Sequence, residues 1–335
     1  MAVRVGINGF GRIGRNFFKA AKQRGVEIDF VAANDPFGSK ELMAHLLKHD
    51  TIQGVWDADI EVVGDGIKVN GDTIQILAEK DPANLPWGDL GVDCVIESTG
   101  VFTSKEQASA HLTAGAPLVI VSAPSSGADA TFVVGVNDDT FDKDNHKVIS
   151  NASCTTNCFV PMVKVLDDAF GVERGLMTTV HAYTATQAII DGPSKDLREA
   201  RAAAVNVIPS STGAARATSL VLEAMKGKLD GTALRVPIPD GSITDFTAIL
   251  NKEASTDEIN EAFRAAAESG PLSDVLVYSD APIVSSDIVG SPASCTFDAP
   301  LTMAMGNLVK IFGWYDNEWG YSNRVVDLIL RTAGK

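Results

Sequence analysis

The sequence predicts an α/β fold in two parts: a parallel-sheet domain with helices, then an α+β domain whose sheet is mostly antiparallel. Three observations predict it. The chain opens on a strand, a glycine turn, a helix and a second strand within residues 3–35, the unit from which parallel sheets grow. Past residue 154 the patterns become mixed, and a late run of strands reads as an antiparallel set. The length of 335 residues and an apolar content of 45% allow a core in each part. The expected boundaries are 1–153 with 317–335 for the first domain and 154–316 for the second.

Composition narrows the class. The net charge of −15 comes from 43 acidic against 28 basic side chains spread along the chain. Such a surface repels polyphosphate backbones and anionic membranes, so neither nucleic acid nor membrane is an expected partner. An anionic substrate would need locally placed arginines and helix N-termini. The cysteines Cys94, Cys154, Cys158 and Cys295 are too few and scattered for a disulfide framework, which points to a reducing compartment. The N-terminus runs straight into a strand pattern without a leader-like segment, and no apolar run reaches membrane-span length, so a cytoplasmic protein is expected.

Residues 3–8 read as the first strand, followed by Gly9-Phe-Gly11-Arg12-Ile13-Gly14 and a helical stretch, Arg15–Lys22. A second strand, Ile28–Ala33, ends in Asn34-Asp35, with the acid 21 residues past the third glycine. This is the dinucleotide fingerprint of a Rossmann-type domain in its required context. The glycines let backbone approach a pyrophosphate at the helix N-terminus, and Asp35 is placed to accept from an adenosine ribose. A carboxylate there repels a 2′-phosphate, so NAD is favoured over NADP. His45 and His49 follow on a short helix as structural or solvated residues. Residues 60–78 switch to period-two patterning with turns at Gly64-Asp-Gly66 and Asn70-Gly71, an antiparallel insertion in the parallel sheet. Parallel strands return at 93–99 and 118–122, with Cys94 in a core position. Ligands bind at the C-terminal ends of such strands, so Thr99, Gly100 and Ser122 are either cofactor-side residues or plain strand-end turns.

The stretch Val148-Ile-Ser-Asn-Ala-Ser153-Cys154-Thr155-Thr-Asn-Cys158 reads as a strand ending in a hydroxyl-rich turn that opens a helix. Free backbone N–H groups and the positive end of the helix favour thiolate over thiol, which makes Cys154 a candidate nucleophile with a lowered pKa. The amphipathic helix over 157–170 carries Pro161, expected in its first turn. Cys158 lies one turn beyond Cys154, but the spacing matches no zinc signature, and no metal site is expected.

The strand 175–180 delivers His181 beside the hydroxyls of Thr184 and Thr186, either as the base for a cysteine elsewhere in the fold or as a structural histidine. The polar loop 191–201 is suited to binding or assembly. Ile208-Pro-Ser-Ser-Thr212-Gly213-Ala-Ala-Arg reads as a helix opening and a second anion cradle. Arg235 is expected to open a strand, Arg-Val-Pro-Ile-Pro, as a forked phosphate ligand. A capped helix at 256–268 precedes strands at 275–279, 294–298 and 307–314, read as antiparallel, and an amphipathic helix closes the chain.

Five of these motifs, Gly9-Phe-Gly-Arg-Ile-Gly14, Ala152-Ser-Cys-Thr-Thr-Asn-Cys158, His181-Ala-Tyr-Thr184, Pro209-Ser-Ser-Thr-Gly-Ala-Ala215 and Trp314-Tyr-Asp-Asn-Glu318, resemble those of glyceraldehyde-3-phosphate dehydrogenases. The likeness covers essentially the whole chain in the family's order. It implies the phosphorylating oxidation of D-glyceraldehyde 3-phosphate by NAD and inorganic phosphate to 1,3-bisphosphoglycerate, in a homotetramer with the 191–201 loop near a neighbouring subunit. It implies that Cys154 attacks the aldehyde and carries the thioester, while His181 lowers its pKa and takes the proton. By the same likeness Thr184 and Arg235 grip the substrate phosphate, and Ser153, Thr155, Thr212 and Gly213 cradle inorganic phosphate. On the cofactor side, Arg12 and Ile13 meet the pyrophosphate, Asp35 the ribose, and Ser122 and Asn317 the nicotinamide half. The C-terminal helix is expected to pack back on the cofactor domain.

Three positions depart from the pattern. Lys80 replaces an arginine on the cofactor side, keeping charge but losing the planar fork. Gly192 stands where many members have leucine, and Glu199 where some are basic. An erythrose-4-phosphate dehydrogenase shares the cysteine motif and is the alternative enzyme. A non-catalytic dinucleotide-binding or adhesion protein would lack the cysteine, the histidine or the arginine.

Overall fold

The first strand, Val3–Asn8 (β1), is buried at every position but Arg4, as a parallel strand covered on both faces requires. In the computed structural model, which describes residues 2–333, the chain divides into two units: 1–132 with 138–152 and 322–335, and 133–137 with 153–321. In the first, β1 leads into α1 (Arg12–Arg24), β2 (Ile28–Asn34) and α2 (Lys40–Lys48). The hairpin strands β3 (Ile60–Val63), β4 (Gly66–Val69) and β5 (Asp72–Leu77) follow, then β6 (Cys94–Glu97), β7 (Val119–Val121), β8 (Ala130–Thr131) and β9 (Val148–Ser150). The strand order is β8-β9-β7-β6-β1-β2-β5-β4-β3. Pairing is parallel from β8 to β5, so the hairpins extend one edge of the parallel sheet rather than interrupt it.

α1 buries Phe17 and Phe18 against Phe30 of β2, with ring centroids 5.3 and 4.7 Å apart. Each such ring contributes about 1.5–3 kcal/mol by leaving water. His45 and His49 are exposed, and Cys94 is buried in β6. The last helix, α5 (Trp319–Thr332, the numbers α3 and α4 falling to two helices of the second unit), is tied down within the first unit: Asp327 meets Arg24 and Arg331 meets Asp138, both at 2.6 Å.

The second unit begins with α3 (Cys154–Phe170) and continues through β10 (Val172–Ala182), β11 (Ile208–Ser211), β12 (Leu229–Val236), β13 (Ser242–Leu250), α4 (Thr256–Glu268), β14 (Leu276–Ser279), β15 (Cys295–Asp298), β16 (Met303–Met305) and β17 (Leu308–Tyr315). Its sheet has the order β11-β12-β10-β13-β17-β15-β14, with β16 paired to β17. Most pairs are antiparallel, but β10–β12 and β14–β15 are parallel, so the strands at 276–279 and 295–298 do not form the purely antiparallel set expected. α3 lies on one face of the sheet, where Phe159 meets Phe246 edge-on at 4.8 Å. Gly313 makes the contact close: a Cβ there would stand 2.5 Å from Met162 Sδ and 2.7 Å from Cys295 Sγ.

Four local expectations change. The helix starts at Cys154, so Pro161 falls in its interior, beyond the first turn, where it removes a backbone donor. Ser210 and Ser211 lie on a strand, and the helix after them spans only Ala214–Ala217. Arg235 stands at the end of β12, because the prolines at 237 and 239 cannot continue a hydrogen-bonded ladder. β13 had no counterpart among the expected strands.

Candidate active site

The glycine turn of the first unit is dictated by space. Gly9 has φ +93° and a Cβ there would stand 2.6 Å from Thr99 N; one on Gly14 would stand 2.2 Å from Gly9 O. Only glycine fits either place. A Cβ on Gly11, in contrast, would meet nothing within 4 Å, which leaves an open approach to the start of α1. That helix has no side-chain cap and no acid in its first turn, and the N–H groups of Ile13 and Gly14 have no intrahelical acceptor there. An anion fits this end. The Arg12 side chain reaches Asp50 at 3.2 Å.

Asp35, at the end of β2, accepts from Phe10 N at 3.2 Å and from Phe37 N at 3.1 Å, one bond to each carboxylate oxygen. The second lone pair on each oxygen remains for ribose hydroxyls. Thr99 is half-buried behind Gly9, Gly100 and Lys80 are exposed, and Ser122 is half-buried at the end of β7. These residues fit a dinucleotide: a turn that admits phosphate, a helix start free of acid, and a carboxylate at the next strand end.

In the second unit, Ser153 caps α3, its Oγ accepting from Thr156 N at 3.0 Å. Cys154 follows as the first helical residue, its Sγ 3.4 Å from His181 Nε2. His181 Nδ1 donates to Ala182 O at 2.6 Å, which fixes the ring and leaves Nε2 to the sulfur. Parallel pairing of β10 with β12 sets His181 opposite Arg235, whose Nη1 donates to the same Ala182 carbonyl at 3.3 Å. Arg235 Nε is buried and has no partner among the described residues, a donor aimed at no protein acceptor.

Burial pushes the Cys154 thiol up to about 11, against the pull of Arg235 and of hydrogen bonds donated to the sulfur by Thr155 and by its own backbone N–H. Burial, then the Arg235 charge, lowers His181 to about 3, against its bond to Ala182. The helix start alone therefore does not depress the thiol as expected; desolvation outweighs it. The nearest group able to take a proton from the sulfur is the His181 Nε2 at 3.4 Å.

The hydroxyls divide. Thr155 is buried, and its Oγ1 meets Tyr315 OH at 2.9 Å, while Tyr315 OH also meets Thr179 Oγ1 at 2.7 Å. Ser153 likewise meets Thr156 Oγ1 at 2.7 Å. Thr184 and Thr212 keep partial exposure, with Thr184 Oγ1 2.9 Å from Thr186 Oγ1 and Thr212 Oγ1 accepting from Ala214 N at 3.2 Å. Gly213 is exposed at the start of its short helix. Asn317 is buried, with its Oδ1 held by Ser242 Oγ at 2.7 Å. Glu199 accepts from Ser210 Oγ at 2.5 Å.

Two family models match. Residues 3–105 match the glyceraldehyde 3-phosphate dehydrogenase NAD binding domain, and residues 153–317 match the C-terminal domain of the same family. The chain belongs to the glyceraldehyde-3-phosphate dehydrogenase family. It is 59% identical to a glyceraldehyde-3-phosphate dehydrogenase of Streptomyces coelicolor, 57% to one of Mycolicibacterium smegmatis and 58% to one of Mycobacterium bovis, each over 98% of both chains.

Two residues that touch this glyceraldehyde-3-phosphate dehydrogenase site are not among those expected from the sequence. Tyr315 stacks edge-on against His181 at 5.8 Å, and Ser242 accepts from Ala182 N at 3.1 Å while holding Asn317. Tyr315 lies within the motif Trp314–Glu318, and Ser242 carries no signal in the sequence. Among the described residues no group of three or more His, Cys, Asp or Glu is arranged to hold a metal ion.

Proposed function

We propose that the chain oxidises D-glyceraldehyde 3-phosphate and conserves the oxidation as an acyl phosphate, with Cys154 as acyl carrier. The observation that carries this reading is the 3.4 Å pair of Cys154 and His181 with Arg235 alongside. Cys154 Sγ bonds to the aldehyde carbon as its proton passes to His181 Nε2 and from there to the carbonyl oxygen, giving a hemithioacetal and a neutral imidazole. His181 then takes the hydroxyl proton as the carbon is oxidised to a thioester. NAD, when bound, supplies the hydride acceptor. Inorganic phosphate breaks the thioester, releasing 1,3-bisphosphoglycerate and the thiolate.

Arg235 and Thr184 are read as ligands of the substrate phosphate, supported by the buried, partnerless Arg235 Nε. Thr212 and Gly213, with Ser153 and Thr155, are read as the inorganic-phosphate side. Of these, Gly213 is exposed and Thr212 half-buried, whereas Thr155 is buried with its hydroxyl on Tyr315. Asn317 is read as the ligand of the nicotinamide half. Gly9, Gly11, Arg12, Ile13 and Gly14 would hold the pyrophosphate, Asp35 the ribose, and Lys80, Thr99, Gly100 and Ser122 the surrounding cofactor surface.

The deciding assay is steady-state NADH formation with and without phosphate, offering glyceraldehyde 3-phosphate and erythrose 4-phosphate separately. Phosphate-dependent turnover of the triose is expected; preferential, phosphate-independent turnover of the tetrose would favour the erythrose-4-phosphate reading. Cys154→Ser should abolish turnover and leave NAD binding intact.

A homotetramer is part of the same reading. Its support is apolar surface left open in the second unit: Leu176 and Met305 on the sheet are 68% and 75% exposed, and Ile189 and Leu197 beside and within the 191–201 loop are 85% and 86% exposed. Light scattering should return four chains per particle. A cytoplasmic location is supported by the four free cysteines, and among the described residues no helix is long and apolar enough to cross a membrane.

A further inference from the structure

We propose that Glu97, with His111 behind it, is a positioning residue for the cofactor turn, holding Asn8 and Thr99 on either side of Gly9. The proposal rests on the reading of the first unit as an NAD site. Glu97 ends β6 and is 2% exposed, yet among the described residues no lysine or arginine pairs with it. A buried carboxylate without a cation is costly unless donors surround it. Four do. One oxygen accepts from Asn8 Nδ2 at 2.6 Å and from His111 Nε2 at 3.0 Å; the other accepts from Thr99 N at 2.8 Å and from the Thr99 hydroxyl.

The proton positions follow without ambiguity. Trp87 Nε1 stands 3.0 Å from His111 Nδ1, and an indole N–H can only donate. His111 therefore carries its single proton on Nε2, facing Glu97, and is neutral. At the other end, Asn8 Oδ1 accepts from Asn34 Nδ2 at 2.8 Å, and Asn34 Oδ1 accepts from Glu79 N at 2.7 Å. The chain from Trp87 to the Glu79 backbone is thus fixed in direction at both ends, with an acceptor-only group required at its centre.

Its output is the turn. Thr99 N is the atom a Gly9 Cβ would strike at 2.6 Å, and Ser98 Oγ donates to Gly9 O at 2.7 Å. Displacing Thr99 or Asn8 displaces the peptide that faces the pyrophosphate. A pair serving stability alone could be replaced by apolar residues of similar volume; here both carboxylate oxygens are engaged by the two segments that bracket Gly9.

Glu97→Gln is the sharp test because it keeps the shape. Its NH2 would face two donors, Asn8 Nδ2 and His111 Nε2. His111 cannot change tautomer while Trp87 points an N–H at Nδ1, and Asn8 cannot turn over while Asn34 donates to it. Trp87→Phe removes the group that pins the tautomer, so the double variant should recover part of what Glu97→Gln loses. Calorimetric titration with NAD and with ADP should show both weakened about tenfold or more in Glu97→Gln. Alkylation of Cys154 by iodoacetamide without nucleotide should be unchanged. If Glu97→Gln fails to fold, Thr99→Val should weaken both ligands and Thr99→Ser should not. A folded Glu97→Gln that binds NAD within about twofold of the unmodified protein overturns the proposal, as does a Thr99→Val of undiminished affinity. Failure of the unmodified protein to bind NAD would instead overturn the reading on which it rests.

Discussion

Ser242 joins the Ala182 backbone to the Asn317 amide. Its Oγ accepts from Ala182 N at 3.1 Å and donates to Asn317 Oδ1 at 2.7 Å, and Asn317 Nδ2 is the end that can donate to a ligand. Ser242→Ala removes both bonds at a fully buried position. Leaving the Ala182 N–H without a partner should cost about 1–3 kcal/mol of stability. NAD affinity should fall about fivefold, for about 1 kcal/mol of lost orientation. Denaturant unfolding and calorimetric titration measure the two effects separately, and an unchanged dissociation constant would remove Asn317 orientation from the account.

Removing His181 should raise the pH at which Cys154 becomes reactive. With the imidazole present, the thiol has a proton acceptor 3.4 Å away; in His181→Asn that acceptor is gone while the burial that pushes the thiol up remains. Alkylation by iodoacetamide at pH 7 should then fall about tenfold or more, with its midpoint displaced upward, because only thiolate reacts. Turnover should fall about 10²–10⁴-fold, the usual range for a lost general base. Coincident alkylation profiles for the two proteins would mean that His181 is not the proton acceptor.

Two glycines of the same turn should fail differently. Gly14→Ala sets a Cβ 2.2 Å from Gly9 O, so the turn itself must shift, and both melting temperature and NAD affinity should drop. Gly11→Ala meets no protein atom within 4 Å, so the fold should be kept while NAD affinity falls, the methyl occupying space left for phosphate. Equal thermal losses in the two variants would contradict this division.

The parts of the fold that were legible in the sequence are those whose cause is local. The turn at 9–14 announces itself because glycine is demanded by backbone clearance at fixed spacings, and the start of α3 because a run of small hydroxyl residues interrupts an apolar strand. β13 was invisible for a physical reason: its buried face carries Ser242 and Thr244 beside Phe246, Ala248 and Leu250, so alternation in burial is not alternation in hydrophobicity. Arg235 reads as opening a strand because its neighbours are apolar, yet the prolines at 237 and 239 make it close one instead. The bond from Thr155 to Tyr315 joins residues 160 positions apart, and the register of His181 with Arg235 depends on a parallel pairing that no short pattern encodes.

Asp240 should make the protein less stable as pH rises. Burial raises its carboxyl to about 8, with the charges of Asp316 and Glu318 adding to the effect, and Asp240 is only 3% exposed. In the unfolded chain an aspartate titrates near 3.9. Between about pH 4 and 8 the folded protein therefore holds a proton that the unfolded chain has released, so folding is favoured at the acid end and loses up to about 1.4 kcal/mol per pH unit across that window. Asp316, beside it, accepts from Gly290 N, Glu318 N and Trp319 N and so anchors the turn that carries Asn317. Asn at position 240 keeps the shape and a donor for Asp316 but does not titrate. Asp240→Asn should thus match the unmodified protein near pH 4 and exceed it in unfolding free energy by pH 8. Denaturant titrations at the two pH values decide it: a gap that stays constant between them would mean that Asp240 does not hold its proton in the folded state.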